Sequence, residues 1–293
     1  MASRILLVGC GGIGSQLLRP LVRYLSNRPE PRPLLVLVDG DVFEPANRSR
    51  QACSQRDLGS NKAEALARIA RDDGLATQAI PEFLDETNVR SIVREGDVVL
   101  LAVDNHRARA LVDRHLGSLD DGTLINGGND ETDGNVQLVR RRNGWSVDGH
   151  LTEIHPEIGM ATQEEPRGAG CQAMAAERPQ LLVTNLMVAG AMLACLWQIT
   201  ERGSVPYSEV YLDVVQNSAR SRSWFRVPDG AQSWRVDQQV HKRPGRRPSA
   251  PPGPSTSPAS LQDCKQLSPH SSTNPFPPCH GTTPPPQPPH ATP

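Results

Sequence analysis

Two runs of Leu and Val, RILLVG at 4–9 and LLVLVD at 34–39, constrain this chain more than any other feature. Each has strand length, is bounded by Gly, Asp or Pro, and is apolar without alternation, as strands covered on both faces are. Between them lies SQLLRPLVRYLSN, whose apolar positions recur at helical spacing. The first run enters that stretch through Gly9-Cys10-Gly11-Gly12-Ile13-Gly14. Strand, glycine loop, helix and second buried strand make a βαβ unit, whose strands lie parallel. Pro20 sits inside the expected helix, at a cost of roughly 3 kcal/mol unless a kink absorbs it.

The alternation continues downstream. KAEALARIARDDG (62–74) predicts a helix ending on Gly74, DVVLLAV (97–103) a third buried strand, HRARALVDRHL (106–116) a helix and GTLINGG (122–128) a fourth strand. NVQLVRR (135–141) and WSVDGHL (145–151) predict a hairpin around Asn143-Gly144. The expected class is α/β: a Rossmann-like, doubly wound, mostly parallel sheet with helices on both faces. Residues 181–199 have the length and apolarity of a membrane span, but Asn185, Gly190 and Gln198 dilute them and no basic cluster follows closely. They are read as a helix buried all round.

Near residue 241 the composition breaks. Of the 27 prolines, 16 fall in residues 241–293, where Leu261, Leu267 and Phe276 are the large apolar residues. So little apolar surface cannot offset the entropy of ordering, which predicts a disordered Pro-rich tail behind a domain of residues 1–240. Its PPPQPP run (284–289) favours polyproline II and suits an SH3-like groove, the plainer reading being a tail without a specific partner.

The net charge of −1 gives no basic field for nucleic acid, and no membrane partner is expected. Six cysteines without CxxC spacing argue against a disulfide framework and against structural zinc. The eight histidines show no metal spacing. A glycine loop stands where a signal peptide would need its apolar stretch, so the expected location is cytoplasmic.

The glycine loop alone predicts a nucleotide, because the turn lets backbone approach phosphate and the helix N-terminus offers N–H groups. Asp39, ending the second strand, stands where an acidic side chain holds a ribose hydroxyl. Such a loop most often serves a redox dinucleotide. The next segment, VDGDVFEPANRSRQACSQRDLGSNKAEALA (38–67), changes the chemistry. Asn47, Arg50 and Gln51 lie on a loop above the sheet, and Lys62 opens the next helix. Arg50 and Lys62 bring fixed positive charge to a triphosphate whose pyrophosphate is leaving. Asp104 follows the third strand at the carboxyl edge, where a lone carboxylate suits Mg²⁺; as an N-cap it has an alternative use.

Together these elements resemble the ThiF/MoeB/ubiquitin-activating superfamily over roughly residues 4–200, most strongly over the first 105. The pattern is carried by Gly9, Gly11, Gly12, Gly14, Asp39, Asp41, Asn47, Arg50, Gln51, Asp57, Gly59, Lys62, Asp104 and Asn105. The resemblance implies an ATP- and Mg²⁺-dependent adenylyltransferase acting on the C-terminal carboxylate of a ubiquitin-like or sulfur-carrier protein. It implies Asp39 on ribose, Arg50 and Lys62 on phosphates, Asp104 on magnesium, and a homodimer as a possible assembly. It leaves open the source of the arginine that some relatives lend from an N-terminal helix: a partner subunit, Arg48 or another residue. Cys171, in GAGCQAMAAERPQ, stands where several sulfur-carrier enzymes hold a cysteine in covalent chemistry; its alternative is packing, the reading also given to Cys10, Cys53 and Cys195. That segment, with TEIHPEI upstream, also resembles the ThiF-type proteins of plasmid-borne PRTRC systems. Two rivals stand beside this reading: an NAD(P)-dependent oxidoreductase, which leaves Arg50 and Lys62 unused, and a non-catalytic module that binds a ubiquitin-like partner.

Overall fold

The computed structural model describes residues 3–160, 181–226 and 234–237. Five strands form the parallel core: β1 (Arg4–Val8), β2 (Leu34–Val38), β3 (Thr77–Ile80), β4 (Val98–Leu101) and β5 (Gly122–Asn129), in the spatial order β3-β2-β1-β4-β5. The sheet then continues antiparallel through β6 (Asp133–Arg142), β8 (Glu209–Asp213), β9 (Ser218–Arg226) and β10 (Trp234–Asp237), while the short β7 (Trp145–Ser146) pairs back on β6.

Strand side chains alternate between two cores. Ile5, Leu7, Leu35, Leu37, Leu100 and Ile125 pack with α1 (Gly12–Ser26), α2 (Lys62–Asp72) and the helix Leu182–Trp197. Leu6, Val8, Val36, Val38, Val99 and Leu124 face α3 (Val89–Ile92), α4 (His106–Leu116), α5 (Leu151–Ile154) and α6 (Pro156–Gly159). Helices therefore cover both faces, as a doubly wound sheet requires.

Several expectations need adjusting. The edge strand β3, TQAI, lies between the segments read as the first helix–strand pair and the third strand. Its residues are partly or fully exposed, so it lacks the apolar run that marks its neighbours. Asn143 (φ 50°) and Gly144 (φ 78°) do form the two-residue turn after β6, but the returning strand ends at Ser146 and Leu151 already opens α5. Pro20 lies inside α1 on its exposed side, where the missing backbone bond costs least.

The helix Leu182–Trp197, here α7, is not buried all round. Its buried side, with Val188, Met192 and Leu196, packs on α1 and across β5 and β6. Its opposite side leaves Leu182, Val183, Leu186 and Trp197 between 41% and 51% exposed. It is an outer layer on one sheet face, so only half its circumference meets protein. Among the described residues it is the helix, continued to Arg202, that has the length and apolarity of a membrane span, and 39% of that stretch is buried against the rest of the protein. Cys171 and the Pro-rich segment 241–293 lie outside the described residues.

Candidate functional site

The glycine loop leaves β1 at its carboxyl end and turns directly into α1. Gly9 adopts φ +89°, and its N–H donates to the Val38 carbonyl at 2.9 Å. A Cβ on Gly14 would stand 1.9 Å from the Gly9 carbonyl oxygen, so the helix approaches the turn closer than any side chain permits. Around Gly11 there is open space: the nearest group to where a Cβ would stand is the Gln51 carboxamide nitrogen, 3.9 Å away. The loop therefore presents Gly11 and the first turn of α1 toward Gln51.

Asp39, at the end of β2, accepts from the Cys10 N–H at 2.6 Å and the Asp41 N–H at 2.8 Å. Burial holds its carboxyl above the usual carboxylate range, while Lys62 and the two N–H groups pull it back. Lys62 is buried, and its Nζ stands 3.0 Å from the Asp41 carboxylate. The position of that ammonium follows from the preceding turn. Asn61 caps α2 by accepting from the Glu64 N–H at 3.1 Å, and its own amide donates to the Asp39 and Asp41 carbonyls at 2.8 and 3.1 Å. The Lys62 N–H donates to the Asp41 carbonyl at 2.8 Å. Helix α2 thus starts against the end of β2, and Asp39, Asp41 and Lys62 come together.

Arg50 and Gln51 follow a 3-10 turn, Pro45–Ser49. Asn47 folds that turn: its Oδ1 accepts from the Glu44 N–H at 3.0 Å, and its carbonyl accepts from the Arg50 and Gln51 N–H groups. In this arrangement the Asn47 side chain shapes the loop that carries Arg50. Arg48, exposed, donates to Gln55 at 3.0 Å. Downstream, Asp57 accepts from the Ser54 N–H and hydroxyl at 2.8 and 2.5 Å, which outweigh burial and hold its carboxyl below the usual range.

Three side chains missed in the sequence tie the Arg50–Ala52 segment to the nucleotide loop. Ser15 Oγ accepts from the Ala52 N–H at 2.9 Å, Gln16 donates to the Arg50 carbonyl at 3.4 Å, and Asn185 of α7 donates to the same carbonyl at 3.3 Å. The available signal for Asn185 was a polar pair, Thr184-Asn185, inside an apolar run.

Asp104 lies two residues past Ala102, whose carbonyl backs Gly9. The N-cap of α4 is Asn105, which accepts from the Ala108 N–H at 2.8 Å. That removes the capping alternative for Asp104, which stays exposed with the Asn105 amide at 3.5 Å. An exposed carboxylate at the strand ends, not engaged by its helix, fits a Mg²⁺ that takes its other ligands from phosphates and water. Among the described residues no group of three or more His, Cys, Asp or Glu side chains is placed to hold a metal. Burial, with Asp39 beside it, pushes the Cys10 thiol well above the ordinary thiol range, and burial also raises Cys53 and Cys195. These thiols are packing groups.

A separate cavity of ≈ 540 Å³ lies at the C-terminal end of α4, lined by Asp113, His150 and Thr152 among others. Of its lining carboxylates, Asp113 is occupied: it accepts from the Leu151 and Thr152 N–H groups at 2.9 and 3.0 Å and caps α5. None of the residues of the glycine loop, nor Arg50 or Lys62, lines this cavity.

Comparison with known proteins agrees with this geometry. The ThiF family model matches residues 1–229. The SAMP-activating enzyme E1 of Haloferax volcanii is 34% identical over 116 residues, covering 38% of this chain and 40% of that protein. The adenylyltransferase and sulfurtransferase MOCS3 of Mus musculus is 37% identical over 114 residues, covering 38% of this chain and 24% of that protein. The chain thus matches less than half the length of these curated relatives. Among solved structures, E. coli MccB with ATP superposes with a TM-score of 0.61 at 18% identity, over 79% of this chain and 66% of that one, which is a likeness of fold. With its glycine loop, its Arg50 and Lys62 turns and its sheet order in place, the chain belongs to the ThiF family.

Proposed function

We propose that this protein adenylates the C-terminal carboxylate of a small ubiquitin-like or sulfur-carrier protein, with residues 1–240 as the adenylation domain. The observation that carries the reading is the gathering of Asp39, Asp41 and Lys62 at the carboxyl end of β2, next to a glycine loop stitched to the Arg50–Gln51 turn. A nicotinamide enzyme has no use for Lys62 and Arg50 there, and the family match weighs against that rival.

In the proposed reaction an acceptor carboxylate oxygen attacks the α-phosphorus of ATP. The bond from that phosphorus to the bridging oxygen breaks, and its electron pair leaves with pyrophosphate, giving an acyl-adenylate. No general base is needed, since a C-terminal carboxylate is already ionised at neutral pH. The protein positions the partners and meets the charge that develops on the phosphates. Asp39 takes the ribose, and the loop of Gly9, Gly11, Gly12 and Gly14 takes the phosphates on backbone N–H groups. Arg50 and Lys62 act on the phosphates, with Lys62 exchanging Asp41 for the nucleotide. Gln51 lines the loop, and Asn47 sets the turn that carries Arg50. Asp104 would hold Mg²⁺, which supplies further neutralisation of phosphate charge when bound.

Cys171 is proposed to capture the activated acyl group as a thioester, its sulfur displacing AMP, or to take part in sulfur transfer. A second copy of this chain is the proposed assembly partner. The setting proposed is the cytoplasm, with neither nucleic acid nor membrane as partner. Mass spectrometry of the chain incubated with Mg²⁺, ATP and a carrier ending in Gly-Gly tests the scheme. The expected result is a carrier heavier by AMP less one water, and a covalent carrier–enzyme species that is lost in Cys171→Ala. Unmodified carriers of every kind, with ATP intact, would overturn it.

A further inference from the structure

Helix α7 enters the protein beside the nucleotide loop, and one of its residues does not fit the packing that surrounds it. Asn185, in the first turn, is fully buried among Val188, Ala189 and Met192 of the same helix face. Its Nδ2 donates to the Arg50 carbonyl at 3.3 Å. Its Oδ1 is buried without a hydrogen-bond partner. The same carboxamide lies flat on Gly12, where a Cβ would come within 2.7 Å of Nδ2 and 2.8 Å of Oδ1. One side chain therefore touches the glycine loop and holds the backbone that carries Arg50, from a helix that begins directly after residues 161–180. Its neighbour Thr184, also fully buried, donates to the Glu131 carbonyl at 2.7 Å and fixes the helix start to the β5–β6 turn.

A buried amide oxygen left without a donor costs about 1–3 kcal/mol, and an apolar residue of the same shape avoids that cost. Stability alone does not account for an asparagine here. We infer that Asn185 is a positioning residue for the nucleotide site: it fixes the Arg50 carbonyl against Gly12 so that the Arg50 side chain is delivered to the phosphates. The inference rests on the adenylation site proposed above and adds a residue to it. It also gives the Gly12 position a reason beyond phosphate approach, because any side chain there would displace Asn185.

The test is a double-mutant cycle on MgATP affinity, measured by titration calorimetry on the full chain. The variants are Asn185→Leu, Asn185→Ala, Arg50→Ala and the two doubles. Asn185→Leu is expected to melt no lower than wild type yet bind ATP about tenfold more weakly, with Asn185→Ala weakened similarly. In the Arg50→Ala background neither Asn185 substitution should weaken binding further, because Asn185 acts through Arg50. Doubles that lose the product of the single effects, Asn185 variants that bind ATP like wild type, or a melting loss that tracks the affinity loss would each overturn the inference. A wild type that binds ATP but activates no carboxylate removes the adenylation reading and leaves this test standing. A wild type that binds no ATP removes both.

Discussion

The two halves of the sheet solve the same packing problem with different chemistry. In the parallel half, β2 and β4 are apolar on both faces and β1 is apolar after Arg4; charged groups stand at the strand ends, Asp39, Lys62 and Asp104 at the carboxyl ends and the Arg4–Asp97 pair at the amino ends. In the antiparallel half, a line of polar side chains crosses the sheet itself. Asn126 on β5 donates to Gln137 on β6 at 2.7 Å, and Gln137 donates to Glu209 on β8 at 3.1 Å. Glu209, 1% exposed, also accepts from His155 at 2.8 Å and from the Trp224 indole at 3.2 Å. The first half keeps its charges at the strand ends. The second satisfies its buried charge internally and uses it to hold residues 150–159 on the sheet.

The comparison breaks most sharply at Lys62. Lys62→Ala is expected to lower acceptor-dependent adenylation by roughly 10²–10³-fold while leaving the melting temperature near wild type, because its ion partner Asp41 is half exposed. Steady-state rates and calorimetric melting read the two effects. Glu209→Ala should do the reverse. Removing one member of a buried, charged network costs about 3–5 kcal/mol, read as a large loss of denaturation midpoint, with nucleotide binding by the folded fraction retained. Loss of ATP affinity in folded Glu209→Ala would erase the distinction between the halves.

A smaller effect follows from two histidines. Asp113 raises His150 above the ordinary imidazole range; Glu209 and Glu157, on the two ring nitrogens of His155, raise it against the opposing effect of burial. A raised folded-state value contributes stability that is fully present below the unfolded value of about 6.5 and is lost as pH rises through the folded value. The carboxylates behave oppositely: Glu209 and Asp113 are held below their ordinary range, so their contribution is lost only as pH falls through those lowered values. The melting temperature should therefore decline from about pH 6 upward, and His150→Gln with His155→Gln should flatten that decline. The smallest effect belongs to Pro20→Ala in α1, which restores a backbone donor on the exposed face and should raise the melting temperature by an amount worth about 1 kcal/mol or less.

The same contrast explains what was legible in the sequence. Apolar runs such as LLVLV and the glycine loop carry their structure locally, so β1, α1, β2, α2, β4, α4 and β5 follow from pattern. Strand β3 and the strands after Pro206 do not: TQAI is a half-exposed edge, and SARSRSW alternates Ser with Arg on a hairpin that carries little core. Within the candidate site, the nearness of Asp39, Asp41 and Lys62 was readable because their spacing follows the βα turns. Asn61, Ser15 and Asn185 were not, since their partners are backbone groups from 20 to 135 positions away. Asn105 shows the limit most simply. Sequence alone offered Asp104 as a cap for α4, and only the backbone dihedrals and the bond to Ala108 assign the cap to Asn105 instead.

The glycine loop, Arg50 and Lys62 are proposed above to form an adenylating site. Its most direct test is ATP–pyrophosphate exchange by the full chain with carriers ending in Gly-Gly, run beside Lys62→Ala. An adenylating site gives exchange that requires both the carrier and its free C-terminal carboxylate and that collapses in Lys62→Ala. Exchange absent with every carrier, together with tight NAD binding at the glycine loop, would contradict it.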